Sequence, residues 1–428
     1  MKLKIAAAST LIVVGLVGSA LPAQARSGCG FPGASWKAQS ADRLGLDPDK
    51  LQEALDFATV HSSETVLVLR HGCLAGSSRL DPVTSELALD GWSMTKSVTA
   101  LLVGRAVTLG KLNIDRPIGY LFPEADRAHG RLTPRQLMHM SSGLHLHWTR
   151  DFNGTPLMPD RVRDALSLPF DYKPGTRWVY HQSPVSLLGE AVTRAVGKDL
   201  QAFAQKELFG PIGIATGSWT WDRDRAGHTE AWAHLQMRSM DWARLGTLVL
   251  HRGNWNGRLL ISKAYMRQML TSSPSNHAYG FLTWLNGKDS FVMPSTNGYD
   301  AGKGWVIPKG PKDMVLFAGQ DEQRTYIIPS LDMVVVRLGQ KGSREADFRV
   351  SFWTARSGEL DNELLRRIQL AVTDKKIKDP GAYEGSDFVM PSTGKDTWHG
   401  SLQDPAQTAA GVGAGPHAPD GCTPLGCD

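Results

Sequence analysis

Hydrophobic positions change their period along this chain, and the changes mark out its elements. "DPDKLQEALDFATVHS" carries apolar residues at helical spacing behind an Asp cap. "ETVLVLRHGCLAGSSRL" reads as two strands around His71-Gly72. From Asp90, "DGWSMTKSVTALLVGRA" becomes apolar almost all round, the pattern of a buried helix. Between Leu112 and Arg225 the chain reads as helix and loop, rich in Pro, Gly and Trp. "MRSMDWARLGTLVLHRG" is an amphipathic helix ended by Gly253. "MVLFAG", "RTYIIPS" and "DMVVVRLG" then read as consecutive strands, and "ELDNELLRRIQLAVTD" as a closing helix. The links between those strands are too short for crossovers, so antiparallel pairing is expected. Strands at both ends with helices between them imply an α+β fold, in which one antiparallel sheet is built from both termini and flanked by helices, with a helical subdomain inserted.

The extremities differ from this body. Lys2 and Lys4, the apolar run Ile5 to Val17 and the small-x-small site Ala23-Gln24-Ala25 form a secretory signal pattern over residues 1–25. A short lead-in covers 26–45, and the main domain is expected over 46–376. Its sheet draws on 60–82 and 312–340, and its helical subdomain on about 112–225. Residues 377–428 turn to Gly, Pro, Ala, Asp and Thr and read as a disordered tail. Within them "FVMPST" at Phe388 echoes the same six residues at Phe291. Export would place the mature chain in an oxidising compartment, periplasmic or secreted, with no membrane span after cleavage. Four cysteines allow three pairings, and Cys29–Cys73 with Cys422–Cys427 is the expected one. The formal net charge of +5 includes Lys2 and Lys4, and this balance is too mild to argue for a nucleic-acid partner.

The candidate chemistry lies in the buried helix. Ser-x-x-Lys occurs twice, at Ser93/Lys96 and at Ser392/Lys395. The second sits amid Pro and Gly, where no buried helix starts, whereas the first opens "SMTKSVTALLVGRAV". Residues three apart share a helix face, so the lysine reaches the serine hydroxyl. Burial lowers a lysine's pKa and turns it into a base, and the helix start favours a developing alkoxide. Set against this is an N-cap serine with a snorkelling lysine.

Further segments resemble a known family. "GWSMTKSVTALLVGRAVTLGKLNIDRPIGYLFPE" followed by "LTPRQLMHMSSGL", then "KPGTRWVYHQSPVSLLGEAVTRAVGK", "YGFLTW" and "YIIPSLDMVVVRLG", are similar to the serine beta-lactamase-related hydrolases. That group includes class C beta-lactamases, D-alanyl-D-alanine peptidases, family VIII esterases and 6-aminohexanoate-dimer hydrolases. The resemblance runs from about Asp47 to Val372. It implies a beta-lactamase/transpeptidase-like fold and an acyl-enzyme mechanism with Ser93 as nucleophile, Lys96 as its base and Tyr180 as a proton relay. It implies neither metal nor other cofactor. The implied substrate is a small ester, amide or peptide, with the dimer-hydrolase branch preferred. The chain departs from the family pattern at two places. Gln182 stands where the family has asparagine two residues after the tyrosine. The Lys-Thr-Gly or His-x-Gly motif is replaced by "AGQDEQRTY", with Gln320, Asp321 and Glu322, which offers no cation to grip a substrate carboxylate. Trp92, His181, Gln182, Gln320 and Asp321 are the expected substrate contacts.

Two other readings compete. A catalytically silent relative would bind cell-wall or peptide ligands. A metal-dependent hydrolase would use the cluster His139, His145 and His147, although no acidic residue nearby completes a ligand set. The tryptophans near the motifs, among them Trp92, Trp148, Trp178 and Trp284, are candidates for core or for an apolar pocket wall.

Overall fold

A computed structural model describes residues 28–80, 84–147, 150–151, 159–295, 298–340, 358–384, 422–423 and 426–427. The expected signal segment, Trp148, the second "FVMPST" and most of the expected tail lie outside the described residues. Among the described residues no helix is long and apolar enough to cross a membrane.

The framework is one six-stranded sheet. Its strands are β1 (Ser63–Arg70), β2 (Cys73–Ser77), β3 (Trp284–Leu285), β4 (Val315–Ala318), β5 (Arg324–Ile328) and β6 (Met333–Gly339). They lie in the order β2-β1-β6-β5-β4-β3, and every neighbouring pair is antiparallel. Early and late segments of the chain meet where β1 pairs with β6, Val68 opposite Val335. β5 and β6 are buried along their whole length, so they read as unbroken apolar runs and not as an alternation.

Helices pack against its strands. α1 (Pro48–Val60) is capped by Asp47, whose carboxylate accepts from the Asp49 and Lys50 N–H groups, and it packs against β1 and the last helix. α2 (Met94–Thr108) is buried from Met94 to Ala106, as its lack of a polar face requires. α3 (Arg161–Ser167) and α4 (Ser183–Val196) pair in the helical region, and α4 also packs on α2. α5 (Ser239–Leu250) crosses β5 and β6, and α6 (Glu359–Ala371) packs on α1. Asp361 of α6 reaches the sheet, where it accepts from Arg324 Nε at 3.1 Å and from the Tyr326 hydroxyl. The cysteines pair as expected, Cys29 with Cys73 and Cys422 with Cys427.

One close approach sets the site. A Cβ on Gly319 would lie 2.2 Å from the Gly91 carbonyl oxygen, so only glycine lets the end of β4 abut the turn that precedes α2. The sheet edge and the start of the buried helix thereby meet beside Ser93.

Candidate active site

Ser93 stands at the N-cap of α2, immediately before its first residue. The preceding Trp92 has φ 46°, a left-handed conformation that is uncommon for a bulky side chain and is held only by its surroundings. Asp90 supplies that restraint. One carboxylate oxygen accepts the Trp92 N–H at 2.7 Å, and the other lies 2.8 Å from His234 Nδ1. The Trp92 and His234 rings pack 5.1 Å apart. The resulting sharp turn leaves Ser93 partly open to solvent while the rest of the helix goes inside.

Lys96 follows one turn later and is 1% exposed. Its Nζ donates to Ser93 Oγ at 2.9 Å and to the Trp232 carbonyl at 2.9 Å. Burial holds its pKa well below the usual lysine value; the Asp151 carboxylate opposes that shift and the Arg161 guanidinium adds to it. The neutral amine is the form this pocket favours. Nζ also lies 4.7 Å from the centre of the Tyr180 ring.

Tyr180 arrives from the far side of the helical region, just before α4. Its phenol is hydrogen-bonded to the Ser93 side chain, and burial raises its pKa well above the ordinary phenol value. The same dry corner therefore favours a neutral amine and a neutral phenol on either side of one hydroxyl, a proton acceptor and a proton donor.

The remaining expected contacts divide. Trp92, Gln320 and Asp321 are half-buried around the turn where β4 meets Ser93. Asp321 and Glu322 both have positive φ, 55° and 60°, and Arg337 secures them by donating to their carbonyls at 2.6 and 3.2 Å. Arg324 is likewise turned inward, onto Asp361 and the Gly319 carbonyl. Both arginines of this corner thus serve the backbone and the core. His181 and Gln182 are both buried, as Lys96 and Tyr180 are. His181 Nε2 sits 3.2 Å from Asp151, and the Gln182 amide is 0% exposed. The reason is Asp151, which draws the backbone after Tyr180 into the interior.

The three histidines of the sequence cluster go separate ways. His139 packs on Phe281, and burial together with Arg135 lowers its pKa to about 4. His145 binds Asp171 at 2.8 Å, and His147 is buried. Among the described residues, the acidic and histidine groups that converge as metal ligands would are Asp160, Asp224 and His228, a different set. Sequence reasoning missed Asp151, Arg161 and the Trp232 carbonyl, which act on Lys96. None lies in a recognisable motif. Asp90 did carry a signal, being an acid two residues before a tryptophan turn.

A six-stranded antiparallel sheet with this buried helix and hydroxyl, amine and phenol at its start defines a class, and residues 50–358 match the beta-lactamase family. The chain belongs to that family of serine hydrolases. It is similar to esterase EstB of Burkholderia gladioli, with 29% identity over 146 residues, 28% of this chain and 36% of that protein. Among solved structures it resembles a Bacillus anthracis protein assigned as a 6-aminohexanoate-dimer hydrolase, with a TM-score of 0.54 at 17% identity over 73% of this chain and 83% of that one. The D-alanine carboxypeptidase of Burkholderia cenocepacia gives 0.53 at 15% identity, over 77% and 99%. These structural likenesses show the fold. The match to the curated relatives spans little more than a third of their own length.

Proposed function

We propose that the protein is an exported hydrolase of small esters or amides that works through an acyl-Ser93 intermediate. The observation that carries this is the convergence on Ser93 Oγ: the Lys96 amine at 2.9 Å and the Tyr180 phenol in hydrogen-bond contact. The neutral Lys96 amine takes the hydroxyl proton as Ser93 Oγ attacks the substrate carbonyl. The Ser93 N–H, at the start of α2, is the candidate first donor to the developing oxyanion, and the backbone at the end of β4 the candidate second. On collapse the leaving amine or alkoxide needs a proton, and the Tyr180 phenol passes one on while Lys96 replenishes it. Water then attacks the ester carbonyl, and the same groups return the proton to Ser93.

Inward-turned Arg324 and Arg337 favour substrates without a carboxylate to be gripped, such as simple esters or linear oligoamides. The names of the esterase and dimer-hydrolase relatives are consistent with that class. The disulfide between Cys29 and Cys73 fits export into an oxidising compartment.

Turnover of p-nitrophenyl butyrate tests the reading. Activity should be lost in Ser93→Ala and should persist in EDTA. Activity that survives Ser93→Ala but dies with EDTA would point to a metal enzyme. No activity on any ester or amide would point to a silent binding protein.

A further inference from the structure

We infer that Asp151 is a positioning residue for this reaction: its carboxylate fixes the backbone that delivers Tyr180, and it supplies the buried negative charge of the Lys96 corner. The inference rests on the assignment of Ser93, Lys96 and Tyr180 made above.

The geometry is that of a helix cap provided by another segment. α4 begins at Ser183, and its N-cap residue Gln182 makes no side-chain cap. The first N–H groups of a helix need acceptors. Asp151 provides them. Its Oδ1 accepts the Ser183 N–H at 3.0 Å and the Ser183 hydroxyl at 3.1 Å, and its Oδ2 accepts the Gln182 N–H at 2.9 Å. His181 Nε2 lies 3.2 Å from Oδ1. Arg161 Nη1 donates to the Asp151 carbonyl at 3.1 Å, which fixes the main chain on the other side. Three consecutive residues after Tyr180 are thus tied to one carboxylate, and the position of the phenol follows from them.

The carboxylate is 2% exposed. Burial alone would raise its pKa, but His181, Arg161 and the Gln182 N–H outweigh burial and keep it below the usual carboxylate value. The charged and titratable groups that interact with it are Lys96 of α2, Arg161 and Asp164 of α3, His181 and Tyr180. Arg150 is engaged with Asp164, and Arg161 lies 3.5 Å from Glu230. That leaves Asp151 as the anion acting on Lys96, and its charge favours the protonated amine.

The test compares pH profiles of kcat/KM for p-nitrophenyl butyrate in the full chain. Activity rises as Lys96 loses its proton. Asp151→Asn keeps the size of the group but removes its charge, so the acid limb should move down by about one pH unit. Ser183→Ala removes one bond to Asp151 without changing charge, so the limb should stay and kcat should fall by about threefold to tenfold. Asp151→Ala releases the whole segment and should lower kcat by about 100-fold with a smaller change in KM. An unmoved limb in Asp151→Asn, or an unchanged kcat in Ser183→Ala, overturns the inference while normal wild-type turnover leaves the parent assignment standing. A wild-type protein with no Ser93-dependent turnover overturns both.

Discussion

Replacing Lys96 with methionine should change how the stability of this protein depends on pH. The lysine is 1% exposed, and burial drives it toward the neutral form. In the unfolded chain the same amine titrates near its ordinary value of about 10.4. Between the folded-state pKa and that value the unfolded chain binds more protons than the folded one. Stability therefore rises with pH across this window, at up to about 1.4 kcal/mol per pH unit from this single group. Methionine has a similar length and no proton to gain, so the variant lacks this contribution. The other titrations are common to both proteins and cancel in their difference. Urea unfolding followed by tryptophan fluorescence, from about pH 7 to about pH 9, should show wild type gaining on Lys96→Met by up to about 2.7 kcal/mol. A difference that stays flat across this range would mean that Lys96 titrates in the folded protein as it does in water, and the argument for a base at this position would fail.

Three further outcomes follow from the structure. Tyr180→Phe keeps the buried ring but removes the phenolic proton, and kcat on p-nitrophenyl butyrate should fall by about 100-fold or more with little change in KM; full activity would exclude the relay. Gly91→Ala would place a Cβ 2.2 Å from Cζ2 of the fully buried Trp242, so thermal unfolding should report a loss of about 1–3 kcal/mol, with reduced turnover as the Ser93 turn shifts. Cys73→Ser opens the Cys29–Cys73 link, which spans 44 residues, and should cost about 2–5 kcal/mol in urea unfolding; an unchanged midpoint would mean the bond does not form in the purified protein.

What could be read in the sequence was whatever depends on local period or on a motif within one element. The all-round apolar run after Ser93 gave a buried helix because a helix with no polar face has nowhere else to go, and Ser93 and Lys96 are one turn apart on it. The short links between the last three strands gave their antiparallel order. Tyr180 was legible through resemblance. The surroundings of these residues were not. Asp151 comes from a segment with no periodic signal, and only the tertiary fold brings it under the start of α4. That contact draws both His181 and Gln182 inside, although neighbours in an extended stretch alternate in direction. The Trp232 carbonyl that receives Lys96 is a backbone group, and no side-chain pattern encodes it.

The proposed chemistry requires Ser93 to be an activated nucleophile. Mass spectrometry of peptides after treatment with a fluorophosphonate measures this directly. A single stoichiometric adduct is expected on the peptide carrying Ser93, formed far more slowly in Lys96→Met. An adduct on a different serine, or equal labelling rates in the two proteins, would contradict it.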